Sequence, residues 1–406
     1  MPALAQAALI LAVAMASVAA AVPEPQAAAA PERQAAPPPL PALSIDAGGI
    51  SISGLSSGAD FVVQFQVAFS SIVSGVGVFA GQPYHCAVTR FPADRLVPFC
   101  TGTHVSGDMN TTVLPAPGSA RAGCTGDHPS PDVPYCPGCP AGKTLLYDHC
   151  KRWPEIVDIE LLLSYAREQA AEGTIDPLSN FKGKPVFLYR GTKDTCYLKG
   201  SLANSQRFFE KLGANVLFNS TTPSAHAWPT KSFGPPCGSG VIEACDYDGP
   251  GAALQHIYAN NLRPPVDAPN RSMSLFGQAP FMTTDNNGTA RWNETMPMVT
   301  GLAPAGHVYV PAKCKLAGAK CKLHFSLHGC GVNEYYDEAV HHLGFQRWGE
   351  ANGIVIVFPR IQPHGGTTET VSGCWDGYAQ HGADYALKSG PQMHAMRQMI
   401  KAVAGL

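Results

Sequence analysis

The stretch Ile50-Ser51-Ile52-Ser53-Gly54-Leu55-Ser56-Ser57-Gly58-Ala59 joins a short alternating β segment to a G-x-S-x-G box and runs on into a helix-like segment, Asp60–Ser71. Strand, tight turn and helix in that order are the setting of a nucleophile elbow, where the turn lifts the central serine above the end of a sheet. Such a turn leaves little room for side chains at its flanks, and glycine supplies the backbone freedom. A plain Gly/Ser-rich turn can carry the same box, so Ser56 needs partners elsewhere in the chain.

The chain has 406 residues, 45% of them hydrophobic, with a formal net charge of -2. That suffices for a large single core, and near-neutral charge argues against a nucleic-acid partner held through phosphates. Residues 1–21 have the pattern of a signal peptide, ending in Ala19-Ala20-Ala21. The apolar run Ala8–Ala21 is too short for a membrane span, and nothing later is apolar for long enough. Residues 22–43, rich in Ala and Pro, are expected to be a disordered linker, leaving a single domain over 44–406. The 13 cysteines fit an exported, oxidised protein, extracellular or periplasmic. Short spacings suggest the local loops Cys237 with Cys245 and Cys314 with Cys321. Cys136-Pro137-Gly138-Cys139 is read as a structural disulfide over a redox or zinc site, since no second Cys/His pair completes a ligand set. Sequons occur at Asn110, Asn219, Asn270, Asn287 and Asn293.

A serine of this kind is followed in the chain by an acid and then a histidine, each on a loop after a strand. The buried-strand run Lys184–Arg190 stops at Gly191-Thr192-Lys193-Asp194, which puts Asp194 just past a strand end. A helix (Ser201–Leu212) and a strand (Ala214–Asn219) follow, leading to the loop that carries His226. The hydroxyl needs an imidazole to take its proton, and the imidazole needs a carboxylate to fix its tautomer. Asp376 is the rival acid, in a different topological position. A further signature is displaced. The oxyanion loop of this type of enzyme normally lies upstream of the serine, yet only linker precedes Ser56. The strand Lys322–Leu327 and the loop His328-Gly329-Cys330-Gly331 supply it late, followed by a helix-like segment, Tyr335–Glu350, and a strand, Gly353–Pro359. The last helix, Gln392–Val403, is of the kind that precedes a nucleophile strand. The expectation is an α/β class protein: a three-layer α/β-hydrolase fold, circularly permuted, with a mostly parallel central sheet. Its old termini would be joined within 246–300, and the amides of Ser57 and Cys330 would hold the oxyanion.

Together, Gly54-Leu55-Ser56-Ser57-Gly58, Gly191-Thr192-Lys193-Asp194-Thr195, His226 with Trp228-Pro229-Thr230, His328-Gly329-Cys330 and Gly373-Cys374-Trp375-Asp376 resemble a polyhydroxybutyrate depolymerase of the circularly permuted, single-domain type. The resemblance spans roughly 46–378. It implies Ser56 as nucleophile, Asp194 as acid, His226 as base and an oxyanion hole from the Ser57 and Cys330 amides. It further implies Trp375 as the wall of a hydroxyalkanoate subsite and a Cys330–Cys374 bridge. From the residues alone, Trp375 is more often a core or disulfide-stacked side chain. The expected protein is a monomeric secreted esterase acting on a polyester or oligoester, without cofactor or metal and without nucleic-acid partner. Two other readings remain: an esterase of the feruloyl or acetyl-xylan type, and a non-catalytic hydrolase-like binding protein.

Overall fold

The computed structural model describes residues 36–89, 150–151, 154, 157–282, 300–364 and 371–406. The signal peptide, Cys136–Cys139, and the sequons at Asn110, Asn287 and Asn293 lie outside them. Every element below belongs to the compact unit Pro37–Leu406.

Eight strands form the main sheet: β1 (Ile45–Leu55), β2 (Gly75–Phe79), β3 (Pro185–Tyr189), β4 (Asn215–Asn219), β7 (Met273–Gly277), β8 (Ala305–Tyr309), β9 (Cys321–Leu327) and β10 (Ile354–Phe358). A separate parallel pair consists of β5 (Trp228–Thr230) and β6 (Ile242–Ala244). The main order is β4-β3-β2-β1-β9-β10-β8-β7. Strands β4 through β10 in that order are mutually parallel, and β8 runs antiparallel to both of its neighbours, β10 and β7. The helices are α1 (Ser57–Ala68), α2 (Ile159–Glu172), α3 (Lys199–Lys211), α4 (Gly249–Ile257), α5 (Tyr336–His342), α6 (Phe345–Asn352) and α7 (Pro391–Ala404).

Both faces of the sheet are covered, as parallel sheets require. A Cβ added at Gly81, just past β2, would lie 2.5 Å from Val78 and 3.2 Å from Ala59 of α1. On the opposite face, a Cβ added at Gly77 would lie 3.0 Å from Ala253 of α4. The alternation in Ile50–Ser53 therefore does not mark a half-exposed strand. Ser51 and Ser53 are buried, and Ser51 Oγ bonds Tyr258 Oη at 2.8 Å and His324 Nδ1 at 2.7 Å.

Other expectations hold with small shifts. The strands and helices around Asp194 and His226 form within a few residues of their predicted ends. Tyr335–Glu350 is not one helix: α5 and α6 are separated at Leu343-Gly344, where Gly344 has φ 93. That left-handed backbone suits glycine and ends the first helix. Residues 37–43, read as linker, touch the sheet domain: Leu40 is buried, Pro38 accepts from the Gly277 amide at 2.7 Å, and the Leu43 amide donates to Val403 at 2.8 Å. Among the described residues, no helix is long and apolar enough to cross a membrane.

The disulfides Cys237–Cys245, Cys314–Cys321 and Cys330–Cys374 are present, together with Cys86–Cys150.

Candidate active site

Parallel strands end together, so the loops after β1, β2, β3, β4 and β9 gather along one sheet edge. Backbone bonds carry the register across it: the Ser56 amide donates to Phe79 at 2.9 Å, Ala80 to Tyr189 at 2.8 Å, and Arg190 to Asn219 at 3.0 Å.

The elbow is strained. Ser56 has φ 57 and ψ -124, a region that non-glycine residues adopt only when surrounding structure forces it. The flanking glycines are sterically required. A Cβ at Gly54 would lie 2.4 Å from the Gly58 carbonyl, and one at Gly58 would lie 2.3 Å from the His328 oxygen. The second contact shows that the loop after β9 rests on the elbow. Ser56 itself is partly exposed.

Asp194 is buried at the end of β3. Its Oδ1 accepts the amides of Cys196 at 2.8 Å and Tyr197 at 2.9 Å, while Oδ2 meets His226 Nδ1 at 2.9 Å. Burial works to raise its carboxyl, but the neighbouring His226, the Tyr197 amide and Arg190 together hold it below the ordinary carboxylate value. The Asp194 and His226 loops are pressed together at Gly191, where a Cβ would lie 2.1 Å from the Ser224 oxygen. Glu243 fixes the histidine loop from the other side. Its buried carboxylate accepts the amides of Ala225 at 3.2 Å, Gly238 at 2.6 Å and Gly240 at 2.7 Å. His226 keeps 22% of its side chain exposed, enough to meet a substrate. A direct Ser56 Oγ–His226 hydrogen bond is not among the contacts of this structure, as is common before substrate arrives.

His328 orders the loop that faces the elbow. Its Nε2 accepts from the Ile361 amide at 2.9 Å, which leaves Nδ1–H to donate to the Gly329 oxygen at 2.7 Å. Burial holds this imidazole neutral, with its pKa lowered to about 3. The Gly329 amide donates to Tyr335 Oη at 2.6 Å. Among the described residues, the amides of Ser57 and Cys330 have no protein acceptor and remain available to an oxyanion.

Asp376 is engaged elsewhere: its Oδ2 meets His381 Nδ1 at 3.0 Å, and His381 Nε2 meets His364 Nε2 at 2.9 Å. Trp375 is joined to the elbow, its amide donating to Ser57 Oγ at 3.2 Å. Its ring packs on Phe61 and His328 and is 1% exposed, so in this state it presents almost no face to a ligand. Among the described residues, two sets of potential metal-ligating side chains cluster, Asp194 with Cys196 and His226, and Cys237 with Glu243 and Cys245. All three cysteines are disulfide-bonded, so neither set offers a thiolate.

Sequence reasoning missed Glu243, Tyr197 and Asp60. Tyr197 stacks parallel to the His226 ring, with centroids 5.3 Å apart, and its hydroxyl bonds the buried Asp60.

A parallel sheet whose strand ends carry a strained serine, then an acid, then a histidine defines the α/β-hydrolase class of fold. No protein-family model matches the chain. Over 375 residues the chain is 29% identical to the poly(3-hydroxybutyrate) depolymerase of Delftia acidovorans, covering 90% of this chain and 61% of that protein's length. It is 25% identical to the polyhydroxybutyrate depolymerase of Talaromyces funiculosus over 388 residues, covering 90% and 92%. Two solved structures superpose over 90% of this chain and 99% of theirs. The PHB depolymerase of Penicillium funiculosum has a TM-score of 0.67 at 22% identity. A serine-to-alanine PHB depolymerase complexed with an R3HB trimer has 0.66 at 23%. The resemblance drawn from the motifs is borne out, and the structural likeness establishes the fold.

Proposed function

We propose that this chain is an exported serine esterase that hydrolyses poly(3-hydroxybutyrate) and its oligomers through an acyl-enzyme. The observation that carries this reading is the buried Asp194 carboxylate bonded to His226 Nδ1, on the same sheet edge as the strained Ser56 elbow. With Nδ1–H committed to Asp194, His226 Nε2 is the free base. It takes the Ser56 proton as Oγ attacks the ester carbonyl, then returns it to the departing hydroxyl of the next unit. Water, deprotonated by the same Nε2, releases the acyl group. The Ser57 and Cys330 amides donate hydrogen bonds to the developing oxyanion, each such donor contributing about 3–4 kcal/mol to the transition state. The resemblance assigns Trp375 the wall behind the acyl unit; its amide is tied to Ser57, and its ring would have to turn out of its place on Phe61 and His328 to meet a ligand. None of these steps requires a metal or cofactor.

Similarity to depolymerases over nine tenths of the chain supports the substrate assignment. The disulfides support export to an oxidising compartment. The circular permutation is supported by α7 packing against β1, where the helix preceding a nucleophile strand belongs.

The deciding experiment is product analysis on amorphous poly(3-hydroxybutyrate) beside a soluble p-nitrophenyl ester. Release of 3-hydroxybutyrate units, abolished by Ser56→Ala, is expected. Release of ferulate or acetate from plant polysaccharide without 3-hydroxybutyrate would reassign the substrate. Turnover surviving in Ser56→Ala would overturn the nucleophile.

A further inference from the structure

We propose that Tyr197, tethered to the buried Asp60 carboxylate, is a positioning residue that sets His226 and Asp194 in register with the Ser56 elbow. The inference rests on the Ser-His-Asp reading above and adds to it the device that holds those distant segments together.

A closed circuit of contacts runs through Tyr197. Asp60 lies one turn into α1 from the serine, and its amide donates to the Ser56 carbonyl at 2.9 Å. The Asp60 carboxylate is fully buried, with Oδ1 accepting the Gln82 amide at 2.8 Å and Oδ2 accepting the Tyr197 hydroxyl at 2.5 Å. Tyr197 is also buried. Its amide donates to Asp194 Oδ1, its carbonyl accepts from Arg190 Nε at 2.8 Å, and its ring lies 2° from parallel with His226. One residue thus touches the acid through its backbone, the base through its ring and the nucleophile helix through its hydroxyl. Tyr378, three residues past Trp375, adds a third segment by bonding the same hydroxyl at 2.8 Å. Gly377 allows this approach, since a Cβ there would lie 2.5 Å from Asp60 Cβ.

The charged and titratable groups around Asp60 are Tyr197, Tyr378, Tyr385 and Lys151, whose ammonium lies 5.8 Å over the Tyr197 ring and 5.5 Å over the Tyr378 ring. Burial raises the Asp60 carboxyl to about 6. A carboxylate in a place that disfavours its charge gives up stability, which points to a role in the site. A flat aromatic face stacked beside His226 also hinders the imidazole from rotating away from Asp194. Misplacing reacting groups by about 1 Å can cost a factor of 100 in rate, so a tether of this kind has a measurable effect.

The test is a double-variant cycle on p-nitrophenyl butyrate, with kcat expressed per folded molecule from circular dichroism. Tyr197→Phe keeps the ring and cuts the tether; Asp60→Leu cuts it from the other end. Each is expected to lower kcat roughly tenfold with KM within about twofold, and the double variant should fall no further than the worse single one. Asp60→Asn, which keeps a hydrogen-bonding partner for the hydroxyl, should restore kcat to within about threefold of wild type. Independent, multiplying losses, or a Tyr197→Phe kcat within about twofold of wild type, would overturn the proposal. Ser56→Ala and His226→Ala run alongside: if they stay active, the triad reading fails, whereas inert controls beside an unaffected Tyr197→Phe sink only the tether.

Discussion

Asp60 and Asp194 show how environment gives two carboxylates opposite behaviour. For Asp60, burial outweighs its hydrogen bonds, and its pKa is raised from 3.8 to about 6. The folded state therefore holds a proton that the unfolded chain has released between about pH 4 and 6, and stability falls as pH rises through that window. Above it the ionised group costs about 3 kcal/mol. Asp60→Asn should melt several degrees higher than wild type at pH 8, and calorimetry at pH 4 should find that advantage gone. For Asp194, the partners outweigh burial and the carboxylate stays ionised. Asp194→Asn should lower kcat by about 10³–10⁴, because the amide no longer fixes the His226 tautomer. Asp376→Asn should leave kcat within about threefold, since that carboxylate serves His381. Equal losses from both variants in steady-state assays would return Asp376 to candidacy as the acid.

The elbow and the loop after β9 act as one piece, because β1 and β9 are parallel neighbours with Gly54 opposite Leu327. Gly58 lies between them with no room for a methyl group. Gly58→Ala should push the His328 carbonyl away, carry the Cys330 amide off target and lower kcat at least tenfold. A kcat unchanged beside a lowered melting temperature would limit Gly58 to a packing role. These pieces were legible in the sequence because each is local: an elbow box, a strand running into Gly-Thr-Lys-Asp, a His-Gly-Cys loop. The Asp60–Tyr197–Tyr378 junction was not, since its members lie 137 and 181 residues apart and a buried tyrosine leaves no spacing signal. Glu243 escaped for a similar reason, as its partners are backbone amides that any sequence would supply. The break between α5 and α6 depends on one left-handed glycine, Gly344, in an otherwise continuous helical pattern. Buried Ser51 and Ser53 mimicked a solvent face because they bond or pack against neighbours inside the fold.

Strand order bears on the proposed permutation of the whole chain. The nucleophile strand comes first in sequence yet lies centrally in the sheet, between β2 and β9. On the proposed permutation the helix that would precede it is α7, the last element, and residues near the two ends of the domain meet directly where the Leu43 amide bonds Val403. Ends that close can be joined at little cost, and the chain can be reopened wherever an exposed connection carries few contacts. The segment between α4 and β7 offers such a place, with the Asp267 side chain fully exposed. A permuted gene that joins Leu406 to Leu43 through a short glycine linker and starts at Ala268 would restore the uninterrupted order, with β9 and its loop ahead of the serine. It should fold cooperatively, keep the far-ultraviolet spectrum and retain ester turnover within about tenfold, because each catalytic segment stays on its own strand end. Failure of that protein to fold, while a permutant opened elsewhere on the surface succeeds, would show that the connection after α4 is integral to the domain and that the permutation has been misplaced.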